Sequence, residues 1–266
     1  MNLNNYLEET IFQVADWIYE KLPQSVPDLK RLKKCKIISH RGEHDNQSIF
    51  ENTIAAFDRV NDAGVWGIEL DVRWTKDLIP VVFHDTGLQR VFGSDININQ
   101  MTLTELNMHC RLIPTLSEII QKYGKKLHLM VEIKKEAYPD PGYQNYVLKD
   151  LFHRLNPQDD FHLLSLLPEM FALMNFVPSS TFVASARLNV KQLSDMALMN
   201  NYGGVAGHYV LITDTFLKKH HLQNQCVGTG YIYSQNCLFR EINRGVDWIF
   251  TNHAVKLQSI CDSLIR

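Results

Sequence analysis

The chain has no cysteines at CxxC spacing: Cys35, Cys110, Cys226, Cys237 and Cys261 are odd in number and widely scattered, which fits a reduced cytoplasm. It has no apolar run approaching the ~20 residues that a membrane-spanning helix needs. The N-terminus has no basic leader region, and Glu8, Glu9, Asp16 and Glu20 break up its apolar residues, so it does not read as a secretory signal. Nor is there an excess of positive charge. With 27 Lys and Arg against 29 Asp and Glu, the formal net charge is −2, which argues against a nucleic-acid partner, because counterion-release binding needs a concentrated cationic surface. An anionic ligand would have to be met by local charge. What remains, 45% hydrophobic and 21% charged residues, is ordinary for a globular protein and excludes disorder and coiled coil. A length of 266 residues suits one large core, and barrels of alternating strands and helices use about 250 residues as a single domain.

Residues 3–22 place Leu3, Leu7, Ile11, Val14, Ala15, Ile18 and Leu22 at helical spacing. An amphipathic helix is expected there, ending near Pro23 and followed by the basic cluster Lys30, Arg31, Lys33, Lys34 and Lys36. Because its polar face is acidic, the helix is expected to cap the bottom of the main fold, so that residues 1–34 pack on a domain of residues 35–266. The other reading is a membrane-surface or partner-binding element.

From residue 35 onward short β-branched runs alternate with helical patterns, the signature of repeated βα units. Strands are expected near 36–39, 66–72, 127–133, 161–165, 181–185, 204–207, 227–232 and 247–250. Helices are expected near 52–63, 115–124, 143–155, 168–176, 190–201, 213–221 and 236–244. Eight parallel strands predict a (β/α)8 barrel of the TIM type. Val72 and Pro80 are too close for a parallel crossover. Residues 80–84 should therefore return antiparallel and bring His84 opposite Leu70. Residues 86–114 read as a loop with a short helix near 102–107, covering the mouth of a site.

The chemistry concentrates at strand ends. Glu69 and Asp71 lie two apart on one strand and point to the same face, which in a barrel is the interior. Two carboxylates there repel and lose hydration unless a cation neutralises them. Glu132 repeats the pattern on another strand. Three hard oxygen ligands suit Mg2+ or Ca2+ better than zinc; the competing reading has these acids paired only with Arg and Lys. His40 and His84 end separate strands and could divide the proton transfers that phosphodiester cleavage requires. Arg41 and Lys134 offer donors to phosphoryl oxygens. Gly42 lets the backbone leave its strand sharply. Glu51 and Asn52, ahead of an apolar-periodic helix, are either part of its cap or orient His40 or a substrate hydroxyl.

The runs Ile37-Ile38-Ser39-His40-Arg41-Gly42, Glu51-Asn52-Thr53-Ile54-Ala55-Ala56-Phe57, Ile68-Glu69-Leu70-Asp71-Val72, Thr75-Lys76-Asp77 and Pro80-Val81-Val82-Phe83-His84-Asp85 resemble the glycerophosphodiester phosphodiesterase family. The likeness returns at Ile113-Pro114-Thr115-Leu116, Val131-Glu132-Ile133-Lys134 and Gly245-Val246-Asp247-Trp248-Ile249-Phe250-Thr251. It implies a barrel enzyme that hydrolyses glycerophosphodiesters to sn-glycerol 3-phosphate and an alcohol with a divalent metal. The family's paired histidines fall on His40 and His84, its metal carboxylates on Glu69, Asp71 and Glu132, and its phosphate contacts on Arg41 and Lys134. The chain departs from the pattern at Phe50 (usually Pro), at Leu78 (usually Gly) and at Asn252 (usually Asp). It departs again at Val227-Gly228-Thr229-Gly230-Tyr231-Ile232-Tyr233, which stands where the family often has Trp-Thr-Val-Asn. Glycines there are expected to widen the pocket, with Tyr231 in place of the indole wall. Two further readings remain: a membrane-associated lysophospholipase D-type enzyme, and a noncatalytic barrel that binds a phosphate ligand.

Overall fold

The computed structural model describes residues 3–265, with side chains described from residue 12 onward. Eight parallel strands close on themselves: β1 (Lys36–His40), β2 (Gly67–Trp74), β4 (His128–Ile133), β5 (Phe161–Ser165), β6 (Phe182–Ser185), β7 (Gly204–His208), β8 (Cys226–Gly230) and β9 (Trp248–Thr251). Each pairs with the next, and β1 pairs with both β2 and β9. This is the TIM barrel that the alternation predicts. The ninth strand, β3 (Pro80–Val82), runs antiparallel to β2 with Val72 opposite Val82 and Trp74 opposite Pro80. The short link from β2 leaves no room for a crossover; its turn holds Leu78 at φ 58°, where the family's glycine would sit without strain.

Alternation along each strand sorts the side chains. On β2, Ile68, Leu70, Val72 and Trp74 enter the main core under the helices, as Leu129, Val131 and Ile133 do on β4. The opposite face fills the barrel in layers. Trp66, His128, His162, Trp248 and Cys226 lie toward the floor, where the strands begin, and Ile38, Met130, Leu164, Val183, Ala206 and Phe250 continue the packing. A Cβ on Gly228 would come within 2.7 Å of the Phe250 ring. That glycine therefore makes room for Phe250 and does not widen a pocket. Above these apolar layers, the interior positions of β2 and β4 are acidic.

The outer helices are α3 (Ile54–Asp62), α6 (Leu116–Tyr123), α7 (Pro141–Phe152), α8 (Val190–Met199), α9 (Asp214–His221), α10 (Gln235–Arg244) and α11 (Ala254–Ile265). Thr53, Thr115, Thr213 and Ser234 cap α3, α6, α9 and α10 with side-chain oxygens, satisfying amides that open each helix. The segment expected as a helix near 168–176 is a 3-10 helix, Pro168–Leu173, and α11 was not among the expected helices. Residues 86–114 are more than a loop with one helix. They carry α4 (Gln89–Phe92) and α5 (Leu103–His109) around a small core of Val81, Phe83, Leu88, Ile98, Met101, Leu106 and Ile113.

At the N-terminus, α1 (Leu3–Lys21) forms as the spacing predicts, and α2 (Leu29–Lys34) follows it. Its position differs from expectation. Phe12 stacks on His208 at the end of β7, with ring centroids 3.7 Å apart. Tyr233, just beyond β8, donates to Glu20 at 3.0 Å. The first described turns of the helix therefore lie at the end of the barrel where strands finish, not at its bottom; the side chains of Leu3, Leu7 and Ile11 fall outside the described ones.

Candidate active site

β1 ends at His40 and the backbone then turns through two left-handed residues, Arg41 at φ 58° and Gly42 at φ 83°. Gly42 is needed there twice over, for its φ and because a Cβ would stand 2.7 Å from that of Ala56. The turn is fixed by the Asn52 amide donating to the Arg41 carbonyl at 2.9 Å and the Arg41 amide donating to the Glu69 carbonyl at 2.9 Å. It leaves the Arg41 guanidinium across the strand ends, 3.2 Å from Asp71 through Nε and 3.0 Å from Glu51 through Nη1.

Glu69, Asp71 and Glu132 converge as their strand positions predict. The register sets Asp71 beside Glu132 on β2 and β4 and His40 beside Glu69 on β1 and β2. Each carboxylate offers an oxygen within 4.8 Å of the other two. Lys134 places Nζ 2.7 Å from Asp71 and 2.5 Å from Glu132, so part of the neutralisation comes from within the protein, as the competing reading required. It is incomplete. Burial, reinforced by the charges of Asp71 and Glu132, holds the Glu69 carboxyl well above its usual pKa. Burial raises Glu132 as well. Asp71 is the member kept ionised: although burial opposes it, Lys134 and Arg41 hold it below the ordinary range. Three oxygen donors this close, with crowding that raises the pKa of two of them, fit a hard divalent cation.

The two histidines stand on separate walls of this acidic cluster. His40 Nδ1 lies 2.7 Å from Asn252 Oδ1; an amide oxygen only accepts, so Nδ1 carries the proton and Nε2 turns inward, 3.8 Å from Glu69. His84 follows β3, where the Phe83 amide donates to the Asp71 carbonyl at 2.9 Å. Its Nδ1 donates to the Asp85 carboxylate at 2.6 Å, and its backbone carbonyl accepts from Arg73 Nε at 2.8 Å. Burial lowers both imidazole pKa values, that of His40 to about 4.

Glu51 and Asn52 are not the helix cap, which is Thr53, and neither touches His40. Glu51, buried, holds Arg41 and accepts from Arg90 of α4 at 2.5 and 3.1 Å. Asn52 donates to Asp71 at 2.7 Å. Sequence reasoning did not single out Asp85, Arg90, Arg73 or Phe12. It noted Asn252 only as a departure. Asp85 was adjacent to a chosen histidine, which was the one available signal; Arg90 sits in a segment without a motif.

The cleft above these groups holds about 740 Å3. Its lining joins His40, Arg41, Glu69, His84, Glu132 and Lys134 with the apolar Leu164, Leu166, Ala186, Phe250 and Phe12 of α1, with Tyr231, and with further polar groups that include Arg187 and Asn252. Tyr231 meets the His40 ring edge to face at 5.3 Å, so it does supply an aromatic wall. Among the described residues lining the cleft none comes from 86–114, which instead supports the site from the side through Arg90.

A family described as glycerophosphoryl diester phosphodiesterase matches residues 40–169. A glycerophosphodiester phosphodiesterase of Caldanaerobacter subterraneus subsp. tengcongensis is 36% identical over 128 residues, 44% of this chain and 52% of that protein. The chain's match thus spans about half the length of that relative. One from Bacillus altitudinis is 26% identical over 84% of this chain and 98% of its own length. Among solved structures, an Oleispira antarctica phosphodiesterase in complex with the product sn-glycerol-3-phosphate superposes with TM-score 0.71 at 22% identity, covering 85% of this chain and 96% of its own. That likeness establishes the barrel.

Proposed function

We propose, on the premise that residues 40–169 belong to the glycerophosphoryl diester phosphodiesterase family, that this chain hydrolyses glycerophosphodiesters to sn-glycerol 3-phosphate and an alcohol with the help of a divalent cation. The observation that carries the reading is the meeting of two inward-facing imidazoles with the Glu69, Asp71 and Glu132 carboxylates around one cleft. Mg2+ or Ca2+ held by those three carboxylates would supply positive charge to the phosphoryl oxygens. Arg41 presents its remaining guanidinium donors to the same oxygens, its orientation set by Glu51 and Asp71. Lys134 adds a charge buried beside the carboxylates. His40, held by a neutral amide, keeps the lone pair of Nε2 toward the cleft and accepts the proton of the attacking water, whose oxygen bonds to phosphorus. His84, whose imidazolium form is supported by Asp85, donates to the departing alkoxide. The five unpaired cysteines favour a reducing compartment such as the cytoplasm.

A second reading keeps this chemistry and extends the leaving group to a lysophospholipid; the apolar residues Phe12, Leu164, Leu166, Ala186 and Phe250 in the cleft lining favour it. The experiment that tests both is phosphorus NMR of the protein incubated with glycerophosphocholine, glycerophosphoethanolamine and lysophosphatidylcholine, with and without Mg2+ or Ca2+. Appearance of sn-glycerol 3-phosphate is expected from the first two. Absence of cleavage of all three with either ion would leave the noncatalytic phosphate-binding barrel.

A further inference from the structure

The N-terminal helix is turned opposite to the usual sense. Two of its acidic residues bond to the barrel: Asp16 accepts from Tyr209 at 2.7 Å, and Glu20 accepts from Tyr233 at 3.0 Å through its carboxylate and from Asn236 at 2.7 Å through its carbonyl. Tyr19 packs on Tyr209 and under the Arg240 guanidinium. Val14, Trp17, Ile18 and Lys21, one and two turns apart, are left facing water, and Trp17 is 58% exposed. The exposed apolar line continues through Leu22, Val26 and Leu29. It runs down the side of α10, as the contact of Glu20 with Asn236 at one end and of Asn243 with Ser25 at the other shows. It ends in Lys30, Lys33 and Lys34, all exposed on α2. Residues 21–36 hold six Lys and Arg (Lys21, Lys30, Arg31, Lys33, Lys34, Lys36) against Asp28 alone, a net of +5 in a chain of net −2.

We propose that this flank docks on an anionic lipid surface, with Trp17, Ile18 and Leu22 entering the headgroup boundary and the lysines of α2 meeting lipid phosphates. An exposed tryptophan and aliphatic stripe bordered by lysines has the composition of an interfacial helix, and the cluster of like charge favours an anionic surface over a second copy of a chain that carries the same cluster. Phe12 and Gln13, on the same helix, line the cleft. Docking through this flank therefore sets the rim of the cleft, at the first described turns of the same helix, beside the lipid surface. The docking does not depend on the chemistry of the cleft, and its test reads binding alone.

The full chain is sedimented with sucrose-loaded vesicles of phosphatidylcholine, with and without phosphatidylglycerol, and the emission of the exposed Trp17 is followed. Partition onto the anionic vesicles with a blue shift is expected, and little onto phosphatidylcholine. The double variant Trp17→Gln, Ile18→Gln and the triple variant Lys30→Glu, Lys33→Glu, Lys34→Glu should each weaken partition by about tenfold or more, while both still cleave soluble glycerophosphocholine at the wild-type rate if the catalytic reading holds. Absence of partition, or partition untouched by both variants, overturns the proposal. So does light scattering that shows a dimer dissolved by Trp17→Gln, which would assign the stripe to a second copy.

Discussion

At Glu69, burial and two neighbouring carboxylates act in the same direction and push the carboxyl pKa up. Glu69→Gln removes one of three crowded interior acids and so relieves repulsion in the metal-free site. The expectation is that the melting temperature of the metal-free protein changes little while calorimetric affinity for Mg2+ or Ca2+ falls by an order of magnitude or more, on the order of the ligand losses seen at metal sites. A large drop in melting temperature without metal would refute this account of the site. The division of labour between the histidines is testable through the leaving group. A p-nitrophenolate leaves without protonation. His84→Ala should thus retain much of its activity on a p-nitrophenyl phosphodiester while losing roughly 10²–10⁴-fold on glycerophosphocholine, and His40→Ala should lose that much on both. Equal losses across the two substrates for His84→Ala would remove it from the acid role. The nine side chains chosen from the sequence all sit in or directly behind the cleft, because two-residue spacing on a strand is enough to state which face an acid occupies. What orients them was not legible. Asn252 reaches His40 from a residue 212 positions away in sequence, and no local pattern announces such a contact.

Among the elements, α4 shows how a segment without a motif can matter. It is four residues long and contributes Arg90, whose guanidinium joins Glu51 to Asp85 and hence the Arg41 turn to the His84 turn. Arg90→Ala should leave the circular dichroism spectrum intact and lower kcat by about tenfold to a hundredfold, the scale of a catalytic group displaced by an ångström; an unchanged kcat would make the contact a surface ion pair only. The antiparallel return of β3 was legible because the seven residues between Val72 and Pro80 cannot cross over a sheet. The layout of residues 86–114 was not, since Leu88, Ile98, Leu106 and Ile113 share a core without sharing a period. The place of α1 differed from expectation for a related reason. Periodicity states that a helix has two faces, and only the tyrosines and Asn236 waiting on the barrel decide where Asp16 and Glu20 dock.

Across the molecule, the barrel is polar at one end of its interior and aromatic at the other. At the floor, His128 donates through Nδ1 to the Asp159 carbonyl at 2.9 Å and accepts at Nε2 from His162 at 2.8 Å, both rings buried and neutral. Burial lowers their pKa values to about 4 and about 3. Because the unfolded chain protonates these imidazoles near pH 6.5 and the folded chain does not, the native state loses stability as pH falls below about 6.5. The melting temperature should fall by several degrees from about pH 7 to about pH 5, and His162→Phe should flatten that slope; a slope identical in the variant would assign acid sensitivity elsewhere. The closed cylinder itself was readable from eight short β-branched runs, each found within a few residues of its expected place. The whole account rests on Glu69, Asp71 and Glu132 sharing one ion, and calorimetric titration of Mg2+ and Ca2+ into the metal-free protein tests that most directly. One site per chain, lost in Glu132→Gln, is the predicted result; no heat of binding for either ion, or binding unchanged in that variant, would contradict it.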